Sequence, residues 1–197
     1  VVPTPSYGGN YASLKGYCPD YDHQEFYVAK NFAYSPSGIN LNSNEATQWA
    51  LDYVQSHRCG TINEYSVRYR ALYNMAYSPS GLNMNSIDAR NYALQKVEYR
   101  TESDVRRMQE TAVKVKNFVY SPSGLNRDGV TASRAAASWI DRNNCEDASH
   151  VQTMWTQYTK EYNFAYSPSG LNKNSIDART YALNKISYMS RCSDLLR

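Results

Sequence analysis

NFAYSPSGIN, residues Asn31 to Asn40, returns three times with little change: NMAYSPSGLN from Asn74, NFVYSPSGLN from Asn117 and NFAYSPSGLN from Asn163. The copies begin 43, 43 and 46 residues apart. Periods of this size mark stacked supersecondary units, each too small to bury its apolar face alone. A helical stretch precedes each phrase. Ahead of the second, Ile62, Tyr65, Tyr69, Leu72 and Tyr73 recur on one face of a helix. The phrase then breaks the helix: proline in Ser-Pro-Ser-Gly fixes φ, and the glycine is expected to take a positive φ, giving a tight turn.

A short polar residue follows each turn at one register: Asn42, Asn85, Asp128 and Asn174. Asn and Asp are good helix N-caps, and in three of the four cases an acid lies three residues on (Glu45, Asp88, Asp177). The helix after the second turn is expected to bury Ile87, Leu94 and Val97; the fourth matches with Ile176, Leu183 and Ile186. The fold class that results is all-α, built from four tandem helix–Ser-Pro-turn–helix repeats.

A longer period overlies the short one. Repeats two and four share NSIDAR-x-YAL-x-K, from Asn85 and from Asn174, whereas repeats one and three carry Trp49 and Trp139 instead. The predicted organisation is an N-terminal extension (1–18), a first pair of repeats (19–103) and a second pair (104–197). Two similar halves commonly pack about a pseudo-twofold axis; an open solenoid of four repeats is the other arrangement the pattern allows.

Composition narrows the class. Of 197 residues, 42% are hydrophobic, too many for a disordered chain. The 21 Lys and Arg against 18 Asp and Glu leave a net charge of +3, with signs alternating along most segments. That is poor support for a nucleic-acid partner, which calls for a basic stripe with interleaved aromatics. No apolar run approaches the roughly 20 residues that span a bilayer. The 19 Tyr stand out against 4 Phe and 3 Trp; tyrosine suits a surface that a partner will cover, and equally a half-buried helix seam. Three His, no Gly-rich phosphate loop and no paired-carboxylate motif speak against an enzyme.

The cysteines follow the repeat. Cys59 and Cys145 each lie 28 residues after the start of a phrase, Cys192 lies 29 after, and Ser103 holds the matching place in repeat two. Cys18 stands ahead of the first repeat in the same manner. Four readings of these corner thiols are open: small apolar packing groups, disulfides between corners, zinc ligands (Cys18-x4-His23 and Cys145-x4-His150), and points of covalent attachment. The last is favoured by Arg58, Arg142, Arg191 and Lys15, each within three residues of a Cys, because nearby cations stabilise a thiolate.

Repeated NFAYSPSGLN turns in a duplicated, Tyr-rich, mildly basic helical chain with singly spaced cysteines resemble the gamma subunit of red-algal phycoerythrin, over nearly the whole length from Cys18 to Cys192. The resemblance implies a light-harvesting linker inside a hexameric ring of phycoerythrin alpha and beta subunits, assembling the ring and passing on excitation. It implies open-chain tetrapyrroles, phycoerythrobilin or phycourobilin, in thioether linkage to Cys18, Cys59, Cys145 and Cys192. Their propionates would meet Arg58, Arg142 and Arg191, and their pyrrole N–H groups Asp20, Asp22, Asp147 and Asp194. Tyr17, Tyr21 or Tyr188 would supply aromatic walls, and Ser103 would carry no pigment, since a serine hydroxyl is a poor nucleophile without a base. The location implied is the stromal face of the chloroplast thylakoid after removal of a transit peptide, with which an opening at Val1 agrees, as it does with a simple truncation. The alternative, from the residues alone, is a secreted Tyr-rich structural or adhesive helical-repeat protein with disulfide cross-links.

Overall fold

The computed structural model describes residues 24–57, 61–142 and 145–197. These form eight α-helices, with no strand among the described residues. They are α1 (Gln24–Tyr34), α2 (Ser43–Ser56), α3 (Ile62–Tyr77), α4 (Ser86–Val97), α5 (Glu102–Tyr120), α6 (Gly129–Asp141), α7 (Ala148–Tyr166) and α8 (Ser175–Ile186), followed by a 3₁₀ turn over Ser193–Leu196. The all-α reading with helices flanking each Ser-Pro turn holds. The expectations at Cys18, Asp20, Asp22, Arg58, Cys59, Tyr17 and Tyr21 fall outside the described residues.

The four turns are one structure built four times. In the first, Ser35 N–H closes the last helical bond to Asn31 O at 2.9 Å. Gly38 and Asn40 N–H then return to Ser35 O at 2.9 and 3.1 Å, while Ile39 and Leu41 N–H reach back to Phe32 O and Ala33 O at 3.2 and 2.8 Å. Carbonyls that a helix end would leave without partners are thereby satisfied. The same five bonds recur around Ser78, Ser121 and Ser167. Within each turn the second serine donates its N–H to the first serine's Oγ at 3.2 Å, a local bond that pins the reversal.

Positive φ does not fall on the glycine as expected. It falls two residues later, on Asn40 (62°), Asn83 (55°), Asn126 (53°) and Asn172 (52°), the residue type that tolerates the left-handed region best after glycine. The glycine answers a different demand. A Cβ on Gly38, Gly81, Gly124 or Gly170 would land on the carbonyl oxygen six residues back, that of Phe32, Met75, Phe118 or Phe164. Close approach of two backbone segments, rather than an unusual dihedral, selects glycine here.

All four expected N-caps are in place. The Oδ1 of Asn42, Asn85 and Asn174 accepts from two backbone N–H groups each, and Asp128 from Thr131 N–H. Glu45 completes a capping box on Asn42 N–H. The core face of the second helices differs from the expectation: Ile87 and Ile176 are exposed, Leu94 and Leu183 are half-buried, and Ala89, Ala93 and Val97, or Ala178, Ala182 and Ile186, face inward. Ile87 sits two residues ahead of Ala89, about 200° around the helix. Alanines supply two of the buried positions in each of these helices.

Contacts divide the chain into two compact bodies: residues through Tyr73 with Arg90–Tyr99, and Asn74–Ala89 with Arg100–Arg197. In the first, α1 packs on α2 and the core is aromatic. Phe32 meets Tyr65 and Tyr69 edge-on at 6.0 and 5.2 Å, and Trp49 stacks on Tyr53 at 5.1 Å. Burial holds the Tyr65 phenol well above its ordinary range and pushes Tyr69 up to about 12. In the second body α5 packs on α6, α7 on α8, and α5 on α7, around Phe118, Trp139, Met154 and Tyr158.

Each of the first three turns is covered by the first helix of the following repeat, which also hands it a hydrogen bond. Tyr69 Oη donates to Gly38 O at 3.2 Å, Lys116 Nζ to Gly81 O at 2.9 Å and Trp155 Nε1 to Ser123 O at 3.2 Å.

Candidate functional site

The corner between α6 and α7 gathers what the sequence singled out in the second body. Helix α6 ends at Asp141, and Arg142 N–H bonds back to Ser138 O. Asp147 caps α7: its Oδ1 accepts from Ser149 N–H, His150 N–H and the Ser149 hydroxyl. These bonds, the Ser149 hydroxyl first, hold the Asp147 carboxyl below the usual carboxylate range. Between the two helices lies Cys145.

Cys145 is bonded to Cys192, with the Cα atoms 5.6 Å apart. Cys192 follows α8 and is fully buried. The bond therefore brackets the fourth repeat, joining the corner before it to the corner after it across 47 residues. Further ties run beside the disulfide. Glu146 accepts from Ser190 Oγ and from Arg191 N–H, His150 Nε2 donates to Met189 O at 2.7 Å, and Arg142 forms a two-pronged ion pair with Asp194, the nearest N–O distance 3.0 Å. Trp139 Nε1 donates to Glu146 O at 2.8 Å, fixing the approach from α6. Burial raises the Glu146 pKa, but the Ser190 hydroxyl and the Arg191 N–H outweigh it, so the carboxyl is held below its ordinary value.

The structure pairs Cys145 with Cys192, where the resemblance implied thioether attachment; a sulfur in a disulfide has no thiolate to add to a vinylic carbon. Asp147 caps α7 through Oδ1, and Arg142 and Asp194 pair with each other. Arg191 uses its backbone N–H and its side chain is exposed. Tyr188 is exposed. Cys145 and His150 do not form a metal pair, since one is in the disulfide and the other holds Met189 O; no group of three or more candidate ligands is present among the described residues. At the fifth corner Ser103 lies in the first turn of α5, its hydroxyl 2.9 Å from Thr101 Oγ1, where Thr101 caps the helix.

A cleft of about 330 Å³ opens next to the disulfide, lined by Arg100, Arg107 and Arg142 over Met108, Thr111 and Trp139. Arg107 also pairs with Asp104 at 2.8 Å. Of these residues only Arg142 is marked in the sequence by its nearness to a cysteine. Arg100 precedes α5 and Arg107 lies within it, and no local signal places them there. No helix of the described residues is long and apolar enough to cross a membrane. Comparisons of the chain with protein-family models, with curated proteins and with solved structures returned no match.

Proposed function

We propose that this chain is a disulfide-stapled helical-repeat protein of an oxidising compartment, with a structural or adhesive role rather than a catalytic one. The observation that carries the reading is the Cys145–Cys192 bond. Disulfides persist where thiols are not kept reduced, as in secreted proteins. A bond closing a loop of 47 residues restrains the unfolded chain by about 4 kcal/mol in the chain-entropy picture. It joins the corner before α7 to the segment after α8.

The pigment-bearing linker of a phycoerythrin ring needs free thiols. With two of its four attachment points joined to each other, that reading retains Cys18 and Cys59, and a stromal location agrees less well with a structural disulfide. One experiment separates the two. Proteolysis of the alkylated, non-reduced protein is expected to yield a Cys145–Cys192 cross-linked peptide pair, and the denatured chain is expected to be colourless in the visible range. Alkylated Cys145 and Cys192, or visible absorption that stays with the denatured polypeptide, would overturn the scaffold reading.

A further inference from the structure

We propose that the cleft between the third Ser-Pro turn and α8 binds a small amphipathic carboxylate. Its charged end would sit at Arg127 and Arg179, and its hydrocarbon part against Leu125, Ile176 and Leu183. The cleft has a volume of about 250 Å³ and lies wholly within the second body. Leu125 reaches it from the turn and Arg127 from the residue before the α6 cap. Ile176, Arg179, Thr180 and Leu183 reach it from α8, at a spacing that puts all four on one helix face. Aliphatic walls with a few convergent polar groups are the ordinary make-up of a ligand site. Ile176 is an aliphatic side chain that the fold itself leaves 75% exposed.

The charge of the ligand follows from what the arginines lack. Among the described residues neither Arg127 nor Arg179 pairs with a carboxylate. The acids nearest to them in sequence are bonded elsewhere, Asp128 to Thr131 and Asp177 to Asn174. Arg179 is nonetheless held in place. Its Nη1 donates to Ser175 O at 3.4 Å and its Nη2 to Pro122 O at 3.2 Å, while the guanidinium lies 5.2 Å from the centre of the Tyr162 ring. Its Nε is buried with no partner, and so is the Tyr158 hydroxyl. Burial pushes the Tyr158 phenol up to about 12 and the charges of Arg179 and Arg127 act against that rise, so the phenol stands near both. A buried donor without an acceptor is costly. A carboxylate matches a guanidinium in charge and in planar geometry, and it brings the acceptor oxygens this corner lacks.

The first body builds the equivalent joint without these features. Tyr69 precedes its phrase by five residues, as Tyr158 does, and donates its hydroxyl to Gly38 O at 3.2 Å. Leu41 holds the place of Arg127. In the second body the bond to the turn comes from Trp155 Nε1 to Ser123 O, and the Tyr158 phenol has none. A buried Nε without a partner recurs on Arg90. The unsatisfied phenol and the second arginine are therefore what set this cleft apart.

The probes are hexanoate, hexanamide, hexylamine, N-acetyl-leucine and inorganic phosphate, each titrated into the isotopically labelled, disulfide-intact full chain. Hexanoate is expected to shift the methyl resonances of Leu125, Ile176 and Leu183 saturably. Hexanamide and hexylamine should bind about tenfold more weakly, the loss of one charge-assisted hydrogen bond. Arg127→Gln alters an exposed side chain; it should weaken hexanoate by a similar factor and leave thermal unfolding unchanged. Methyl signals unmoved at millimolar hexanoate would overturn the proposal, as would equal binding of hexanamide or equal binding by Arg127→Gln. Phosphate that moves the same resonances at lower concentration than hexanoate would overturn the amphipathic assignment. N-acetyl-leucine binding more tightly than hexanoate would give the cleft to the carboxyl end of a peptide and overturn the small-molecule assignment. None of these results bears on the Cys145–Cys192 bond, so this proposal and the scaffold reading fail separately.

Discussion

At the scale of single residues, the repeated phrase divides into positions with different physical demands. Gly124 has no room for a side chain, and a methyl group there must displace backbone. Gly124→Ala is therefore expected to cost about 2 kcal/mol, the range of an overpacked site. Asn126, at φ 53°, should accept glycine with little change and lose about 1–2 kcal/mol on replacement by valine, which resists the left-handed region. Urea unfolding of the three variants checks both. A second residue-scale expectation concerns the buried phenols. Burial pushes Tyr69 and Tyr158 up to about 12, while the ordinary phenol titrates near 10. The folded pKa is the higher one, so stability is full below about pH 10 and falls as pH rises toward 12. Phenolate absorbance in the near ultraviolet should show a late class that coincides with loss of helical signal; a single transition near pH 10 with the helices intact would contradict it. The tyrosine of every phrase, Tyr34, Tyr77, Tyr120 and Tyr166, is half-exposed, and Tyr166 stacks on Tyr162 at 5.6 Å.

At the scale of elements, the starts of the second helices are legible in the residue pattern alone. Asn42, Asn85, Asp128 and Asn174 cap as their spacing predicts, because capping is a bond between neighbours three residues apart. Asp147 is the instructive exception: its nearness to Cys145 suggests a pigment contact, yet it is the cap of α7. Asp147→Ala is expected to cost about 1 kcal/mol. The carboxyl's folded pKa lies below its unfolded value, so its contribution is complete above about pH 4 and disappears as acid carries the pH below that. Thermal unfolding of wild type and variant should differ at neutral pH and converge in strong acid; a constant difference would rule out the charged cap. The same locality explains where the residue pattern misleads. Hydrophobicity places Ile87 and Ile176 inside, yet two of the buried positions in each of these helices are alanines, whose small size carries little signal in a sequence.

At the scale of the molecule, one interface is repeated: a turn, then the first helix of the next repeat laid over it. Nearest-neighbour coupling of this kind makes stability nearly a sum over repeats. The disulfide joins the two ends of repeat four. Reduction should therefore act locally first. Hydrogen exchange of α8 and of the segment around Arg191 is expected to accelerate after reduction, while α1 and α2 keep their protection; uniform acceleration through the chain would show that the bond stabilises the whole.

The amino-acid sequence alone determined the all-helical class, the four turns and the register of the caps, since each depends on residues within a few positions of one another. Tertiary structure decided that Cys145 meets Cys192, that Arg142 belongs to Asp194 and that three arginines share a cleft. Those outcomes join residues far apart along the chain, and no local pattern encodes a distance across space.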